Sequence, residues 1–162
     1  MNTDILRFSF VIPNKLAGMS WPEKVKPVAD AVSYLKKQGI TTLVNTSTAS
    51  YANTIFSGEF DLIHEPMANM TAPTVNQMDN IIEAYSKLTE LEAMAVHCMH
   101  GIGRTGTVIA CILGKTYNIK TEESIRSIIG ALRQKRQGSI ESDEQEQFIY
   151  KYLGRSRLCD CG

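Results

Sequence analysis

The run His97-Cys-Met-His-Gly-Ile-Gly-Arg-Thr-Gly106 constrains this chain more than any other stretch. It separates a short apolar, strand-like segment, Ala93 to His97, from an apolar helical segment that begins near Arg104 and carries Val108, Ile109, Ile112 and Leu113. A strand that must turn through two spaced glycines into a helix belongs to an α/β architecture. The rest of the chain agrees. Phe8, Phe10 and Ile12 alternate as a strand that stops at Pro13, and residues 15–18 read as a second short strand. Val28, Ala31, Val32 and Leu35 stripe a helix ending near Gly39. Thr41 to Val44 is β-branched and strand-like, 45–53 is a polar loop, and another strand lies near Phe60 to His64. Thr74 with Gln77 forms a capping box ahead of Met78, Ile81, Ile82 and Tyr85. Ile125, Ile128, Ile129 and Leu132 stripe a further helix. Ser142 with Gln145 opens a last one, which buries Phe148, Ile149 and Tyr152. The expected fold is therefore α/β: a mainly parallel sheet with helices on both faces. No linker breaks the 162 residues, so one domain is expected.

The glycine-rich loop has a specific chemistry. Gly101 and Gly103 permit a tight turn and close approach of an anion. Successive peptide N–H groups can converge there on one point, and the following helix adds its unpaired N–H groups and the positive end of its dipole. Arg104 offers a planar fork that matches two oxygens of a phosphate. Cys98 lies at the floor of this cradle, where amides, dipole and Arg104 all favour the thiolate. Thr105 can donate to its sulfur. Met99, His100, Gly101, Ile102 and Gly103 complete the phosphate-binding loop, with His100 at its mouth. The loop lacks the Gly-Lys-Ser/Thr of a nucleotide-binding loop and holds a nucleophile inside the cradle. In-line attack of Cys98 on a phosphate monoester, through a cysteinyl-phosphate that water then hydrolyses, is the chemistry this pattern predicts.

Composition excludes the main competitors. Lys plus Arg and Asp plus Glu are both 17, so the net charge is zero. Binding driven by nucleic-acid phosphates or by an anionic membrane surface calls for a basic chain. No apolar run is long enough to span a bilayer, and no signal peptide is visible, so a cytoplasmic location is expected. Cys98, Cys111, Cys159 and Cys161 form neither a disulfide framework nor paired metal ligands. Cys111 falls among apolar helical residues as core, and Cys159 and Cys161 lie in a short C-terminal tail. Neither a metal nor a cofactor is required by the chemistry.

The stretch His97-Cys98 to Arg104-Thr105 resembles the signature of cysteine-dependent protein tyrosine phosphatases, in its dual-specificity form. Phe8 to Gly18, Phe-Ser-Phe-Val-Ile-Pro-Asn-Lys-Leu-Ala-Gly, resembles the opening of the small atypical phosphatases of the VHZ type. Gly138-Ser-Ile-Glu141 with Glu144-Gln145-Glu146 resembles their closing segment. The likeness runs from about residue 8 to 153. It implies a three-layer phosphatase fold with a central sheet of about five strands flanked by helices, and a phosphorylated protein or peptide as partner. The short chain leaves no room for elements that would deepen the pocket, so a shallow site that admits phosphotyrosine and phosphoserine/threonine is expected, with a monomer as the default. The likeness also implies that His97 orients the loop and lowers the thiol pKa, and that Glu141 helps to position water. A pseudophosphatase that only binds phosphoproteins and a phosphatase of a non-protein ester such as an inositol phosphate are the alternatives.

One family element is absent. The general acid is expected directly after a proline equivalent to Pro66, where this chain has Met67, and 66–77 contains no carboxylate. Glu65 could swing in, Asp61 or Asp79 could serve under another alignment, or turnover proceeds without a strong acid, which is the preferred expectation. Arg133-Gln-Lys-Arg136 is read as a basic helix end that complements the dipole.

Overall fold

The computed structural model describes residues 3–154; Cys159 and Cys161 lie outside them. Five strands form the sheet in the order β1-β2-β5-β3-β4: β1 (Ser9–Ile12), β2 (Leu16–Met19), β3 (Ile40–Asn45), β4 (Asp61–His64) and β5 (Ala93–His97). β1 and β2 pair antiparallel through a tight turn, and all other pairings are parallel, as the sequence predicts. Among the described residues six α-helices flank it: α1 (Val28–Lys37), α2 (Ile55–Glu59), α3 (Val75–Ser86), α4 (Gly103–Thr116), α5 (Glu122–Lys135) and α6 (Asp143–Gly154).

The strands place alternate residues into two cores. Leu16, Val44, Met94 and Val96 face α3 to α6 together with Val108, Ile112, Ile129 and Ile149. Ala17, Met19, Leu43 and Ala95 face the other way, onto Leu6, Val32, Leu35 and Phe56. β5 is buried at every residue, and α4 is buried from Gly103 to Ile112, so the strand and helix on either side of the glycine-rich run are rigidly held. That is the ordinary cause of a precise loop between them.

The capping box at α3 is present: Thr74 Oγ1 accepts from Gln77 N–H at 3.1 Å, and Gln77 Oε1 accepts from Thr74 N–H at 2.9 Å. Ser142 Oγ accepts from Gln145 N–H at 3.2 Å ahead of α6. One reading needs correction: the first strand begins at Ser9 and leaves Phe8 outside it, where Phe8 stacks edge-on with Phe10 and Tyr34. Ahead of the fourth strand lies a short helix, α2, whose five residues are too few for a periodic signal and which buries Phe56.

Candidate active site

The loop emerges from the C-terminal end of β5, at the centre of the sheet, where parallel strands commonly present ligands. Gly101 has φ +74, and its Cα packs so closely that a Cβ would come 2.5 Å from Met19 O. A side chain there would be strained and would also displace β2. Cys98 Sγ lies inside the turn. It receives the Gly101 N–H at 3.3 Å and the Thr105 hydroxyl at 3.1 Å. Burial by itself raises the thiol pKa. The hydroxyl of Thr105 and the N–H groups of Thr105, Ile102 and Gly101 outweigh it, so the thiol sits below its ordinary value. Cys111 shows the contrast: it is fully buried on α4, and burial pushes its thiol up.

Arg104 is 6% exposed, and its Nη1 donates to Met67 O at 3.0 Å. Its planar fork therefore faces the loop that follows β4. His97 is fully buried. Its Nδ1 lies 3.2 Å from Cys98 O, and its Nε2 lies 2.5 Å from the Tyr51 hydroxyl. A hydroxyl donating to Nε2 leaves the proton on Nδ1, which donates to the Cys98 carbonyl. Burial, opposed by that carbonyl, lowers the His97 pKa to about 4, with a smaller push from His64. His97 is thus neutral near pH 7. Its contact with the Cys98 carbonyl lets it orient the loop.

Met99 and His100 are exposed at the loop's rim, and Ile102 carries its N–H to the sulfur while its carbonyl accepts from Gly106 N–H at 2.9 Å. Gly103 opens α4, one residue earlier than expected, and a Cβ there would collide with Glu141 Oε1. Glu141 therefore stands against the loop, and Gln145 lies beside it. Gln145 is fully buried: its Oε1 accepts from Glu141 N–H at 2.8 Å, and its Nε2 donates to Thr71 O at 3.1 Å.

The other carboxylates are elsewhere. Glu65 Oε2 accepts from Asn80 Nδ2 at 3.2 Å, on the flank of α3. Asp61 starts β4, at the end of the strand opposite to the loops. Asp79 accepts from the Tyr152 hydroxyl at 2.5 Å and ties α3 to α6. Met67, at the position expected for an acid, turns its side chain into the core at 3% exposure. The loop after it is tied to the start of α6: Ser142 Oγ donates to Met70 O at 2.7 Å, and Ala72 N–H donates to Glu144 Oε2 at 2.9 Å.

The basic run 133–136 is a second correction. Arg136 is 8% exposed and is no surface cation. Its Nη1 donates to Arg7 O, Ser9 Oγ and Gly18 O at 2.7–2.9 Å, and its Nη2 donates to Gly101 O at 2.8 Å. Burial lowers its pKa to about 10, with the Arg7 charge adding and the Cys98 sulfur opposing. Arg133 donates to Ser139 O and Ile140 O, which fixes the segment that carries Glu141. Sequence distance hides the roles of Arg136 and Tyr51 from a motif search, because each meets the loop from 35 or more residues away.

Comparison with known proteins agrees with this architecture. Residues 17–118 match the family described as "Tc-R-P: Polymorphic toxin system, DSP-PTPase phosphatase". The chain is 30% identical over 149 residues to the mouse dual specificity protein phosphatase CDC14A, covering 85% of this chain and 24% of that protein. It is 26% identical over 156 residues to the Caenorhabditis elegans tyrosine-protein phosphatase cdc-14, covering 89% and 21%. The chain spans about a quarter of the length of these curated relatives. Among solved structures, Tk-PTP in its G95A form superposes with a TM-score of 0.75 at 24% identity over 93% of this chain and 97% of that one, and DUSP15 with 0.72 at 14% identity over 92% and 88%. The chain belongs to the DSP-PTPase phosphatases, within the cysteine-based protein tyrosine phosphatase superfamily.

Proposed function

We propose that the protein is a phosphomonoester hydrolase, acting on phosphotyrosine and, more slowly, on phosphoserine or phosphothreonine in proteins or peptides. The single observation that carries this reading is the Cys98 sulfur, which receives both the Gly101 N–H and the Thr105 hydroxyl inside a loop shaped for a tetrahedral anion. The names of the relatives, dual specificity and tyrosine-protein phosphatases, support the substrate class.

In this mechanism the loop N–H groups and Arg104 hold the three terminal phosphate oxygens. The Cys98 thiolate attacks phosphorus in line as the ester P–O bond breaks, and the leaving oxygen departs as phenolate or alkoxide and takes its proton from solvent. Water then attacks the phosphocysteine and gives up a proton to solvent, the S–P bond breaks to restore the Cys98 thiolate, and inorganic phosphate departs. The preorganised donors lower the barrier because they need no reorganisation as charge shifts. Thr105 stabilises the sulfur when it leaves. His97 keeps the loop oriented.

Proton delivery distinguishes this chain. The stretch 66–77 has no carboxylate, so the leaving group departs largely unassisted. A tyrosine phenol, with a pKa of about 10, leaves more easily than an aliphatic alcohol, which is why aryl phosphates are the favoured substrates. Glu141 is the carboxylate set against the loop, and we assign it the positioning of the hydrolytic water; Glu65 is held away by Asn80.

The test is turnover of para-nitrophenyl phosphate and a phosphotyrosine peptide by wild type, Cys98→Ser and Arg104→Ala. Wild type turns over both, and the variants neither. Phosphopeptide binding without turnover by the wild type would instead support a pseudophosphatase. Chelator leaves the activity intact, and vanadate inhibits it.

A further inference from the structure

The outer half of the phosphate loop is braced by a segment that the mechanism above does not use. Trp21 donates its N–H to Met99 O at 3.2 Å, and its ring meets His97 edge-on at 5.4 Å and Tyr51 at 5.2 Å. Lys24 Nζ, one helical turn on, lies 3.5 Å from His100 Nδ1. Between these contacts stands Glu23. Its Oε1 accepts from Ala52 N–H at 2.9 Å and its Oε2 from Asn53 N–H at 2.8 Å. One carboxylate thus grips two successive amides of the loop directly after Tyr51. Charge-assisted bonds of this kind are about twice as strong as neutral ones, and Glu23 makes both from a half-buried position.

The grip has a consequence for Tyr51. The Tyr51 ring is clamped against Phe56 at 4.7 Å on one side, and its hydroxyl ends 2.5 Å from His97 Nε2 on the other. Burial, helped by the Glu23 charge, holds the phenol well above its ordinary pKa, so it stays a donor. An imidazole placed among neutral partners takes whichever tautomer its neighbours demand. With Tyr51 donating to Nε2, the Nδ1 proton is directed to the Cys98 carbonyl.

We propose that Glu23 is a positioning residue for the Cys98 reaction: by gripping the Ala52 and Asn53 amides, it holds Tyr51 on His97 and so fixes the tautomer that braces the Cys98 backbone. Residues 23, 51 to 53, 97 and 98 then form one relay that runs from the protein surface to the nucleophile. The relay rests on Cys98 being the nucleophile, but the state of His97 is measurable in the resting protein.

The experiment is a double-mutant cycle on the full chain with Glu23→Ala, Tyr51→Phe and the pair, read by kcat and KM on para-nitrophenyl phosphate and by the ¹⁵N resonances of the His97 imidazole. Each single variant is expected to lower kcat about tenfold with KM changed less than about twofold, the scale of a misaligned reacting group. The pair is expected to be no worse than Tyr51→Phe alone, because both act through one contact. In both single variants the His97 Nε2 resonance moves away from the acceptor position. Multiplying losses in the pair, or an unmoved Nε2 resonance in Glu23→Ala, overturns the proposal. If Glu23→Ala does not fold, Glu23→Gln, which keeps one carbonyl acceptor, takes its place in the cycle under the same criteria. An inactive wild type would refute the nucleophile reading, and the imidazole resonances would still decide the relay.

Discussion

Two loops meet at Arg104, and they are built on opposite plans. Cys98 to Thr105 directs N–H groups and a hydroxyl at one sulfur, and it is braced by Arg136 from behind and by His97 from below. The loop after β4 opens on Glu65, which is hydrogen-bonded to Asn80, and carries no carboxylate from 66 to 77. Met67 gives its carbonyl to Arg104 and its side chain to the core, and the residues beyond it are tied to Ser142, Glu144 and Gln145. Binding a phosphate and forming a nucleophile are separable from protonating a leaving group. The first pair of tasks needs a preorganised cradle; the last needs one movable acid.

The comparison breaks most severely at the cradle. Cys98→Ser should lower kcat/KM by at least about 10⁴-fold, the loss typical of a nucleophile that nothing replaces. Arg104→Lys should cost roughly 10²–10³-fold, since a point charge cannot match two oxygens as the planar fork does. Both are measured with an aryl phosphate at fixed pH.

Stability sharpens the same contrast. Arg136→Met leaves the buried Gly18 and Gly101 carbonyls without their donor, and buried unpaired groups of this kind predict a loss on the order of 2–5 kcal/mol. Urea unfolding measures it. Met67→Asp tests whether the second loop lacks only a carboxylate. The side chain is buried in the core, so the variant should lose roughly 2–5 kcal/mol of stability and gain no activity. A rise in kcat with unchanged stability would show that position 67 can reach the leaving group.

Acid makes a smaller demand on the cradle. The unfolded chain's His97 takes a proton near pH 6.5, and the folded chain's only near pH 4. The unfolded state therefore binds more protons across that window, and stability falls as pH drops through it, by up to roughly 3 kcal/mol from this group. His97→Gln should flatten this part of the stability profile. The smallest effect belongs to Glu65→Gln, which leaves activity and its acid limb unchanged. Glu141→Gln should lower turnover by about 10–100-fold.

The phosphate loop is legible in the sequence because every part of it is local: a strand, two glycines, an arginine and a helix start lie within ten residues. The capping residues Thr74, Gln77, Ser142 and Gln145 are legible for the same reason, and so is the period that buries both faces of the strands. What supports the loop is not local. Arg136 reads as one more cation at a helix end, and only the tertiary approach of Gly18 and Gly101 turns it into a buried bracket. Tyr51 and Glu23 lie in polar stretches with no periodicity, and their meeting depends on how the 51–53 loop folds over Trp21. The zero net charge acquires a sharper meaning beside these facts. The site gathers its positive potential from one loop, one helix end and Arg104, so selectivity rests on short-range contacts more than on steering.

The central claim is that Cys98 carries the phosphoryl group between attack and hydrolysis. Rapid acid quench of the protein mixed with a ³²P-labelled phosphotyrosine peptide, followed by mapping of the labelled peptide, tests it directly. The account predicts a phosphocysteine at Cys98 that forms faster than steady-state turnover and is absent in Cys98→Ser. Turnover in the wild type with no label on Cys98, or label persisting in Cys98→Ser, would contradict it.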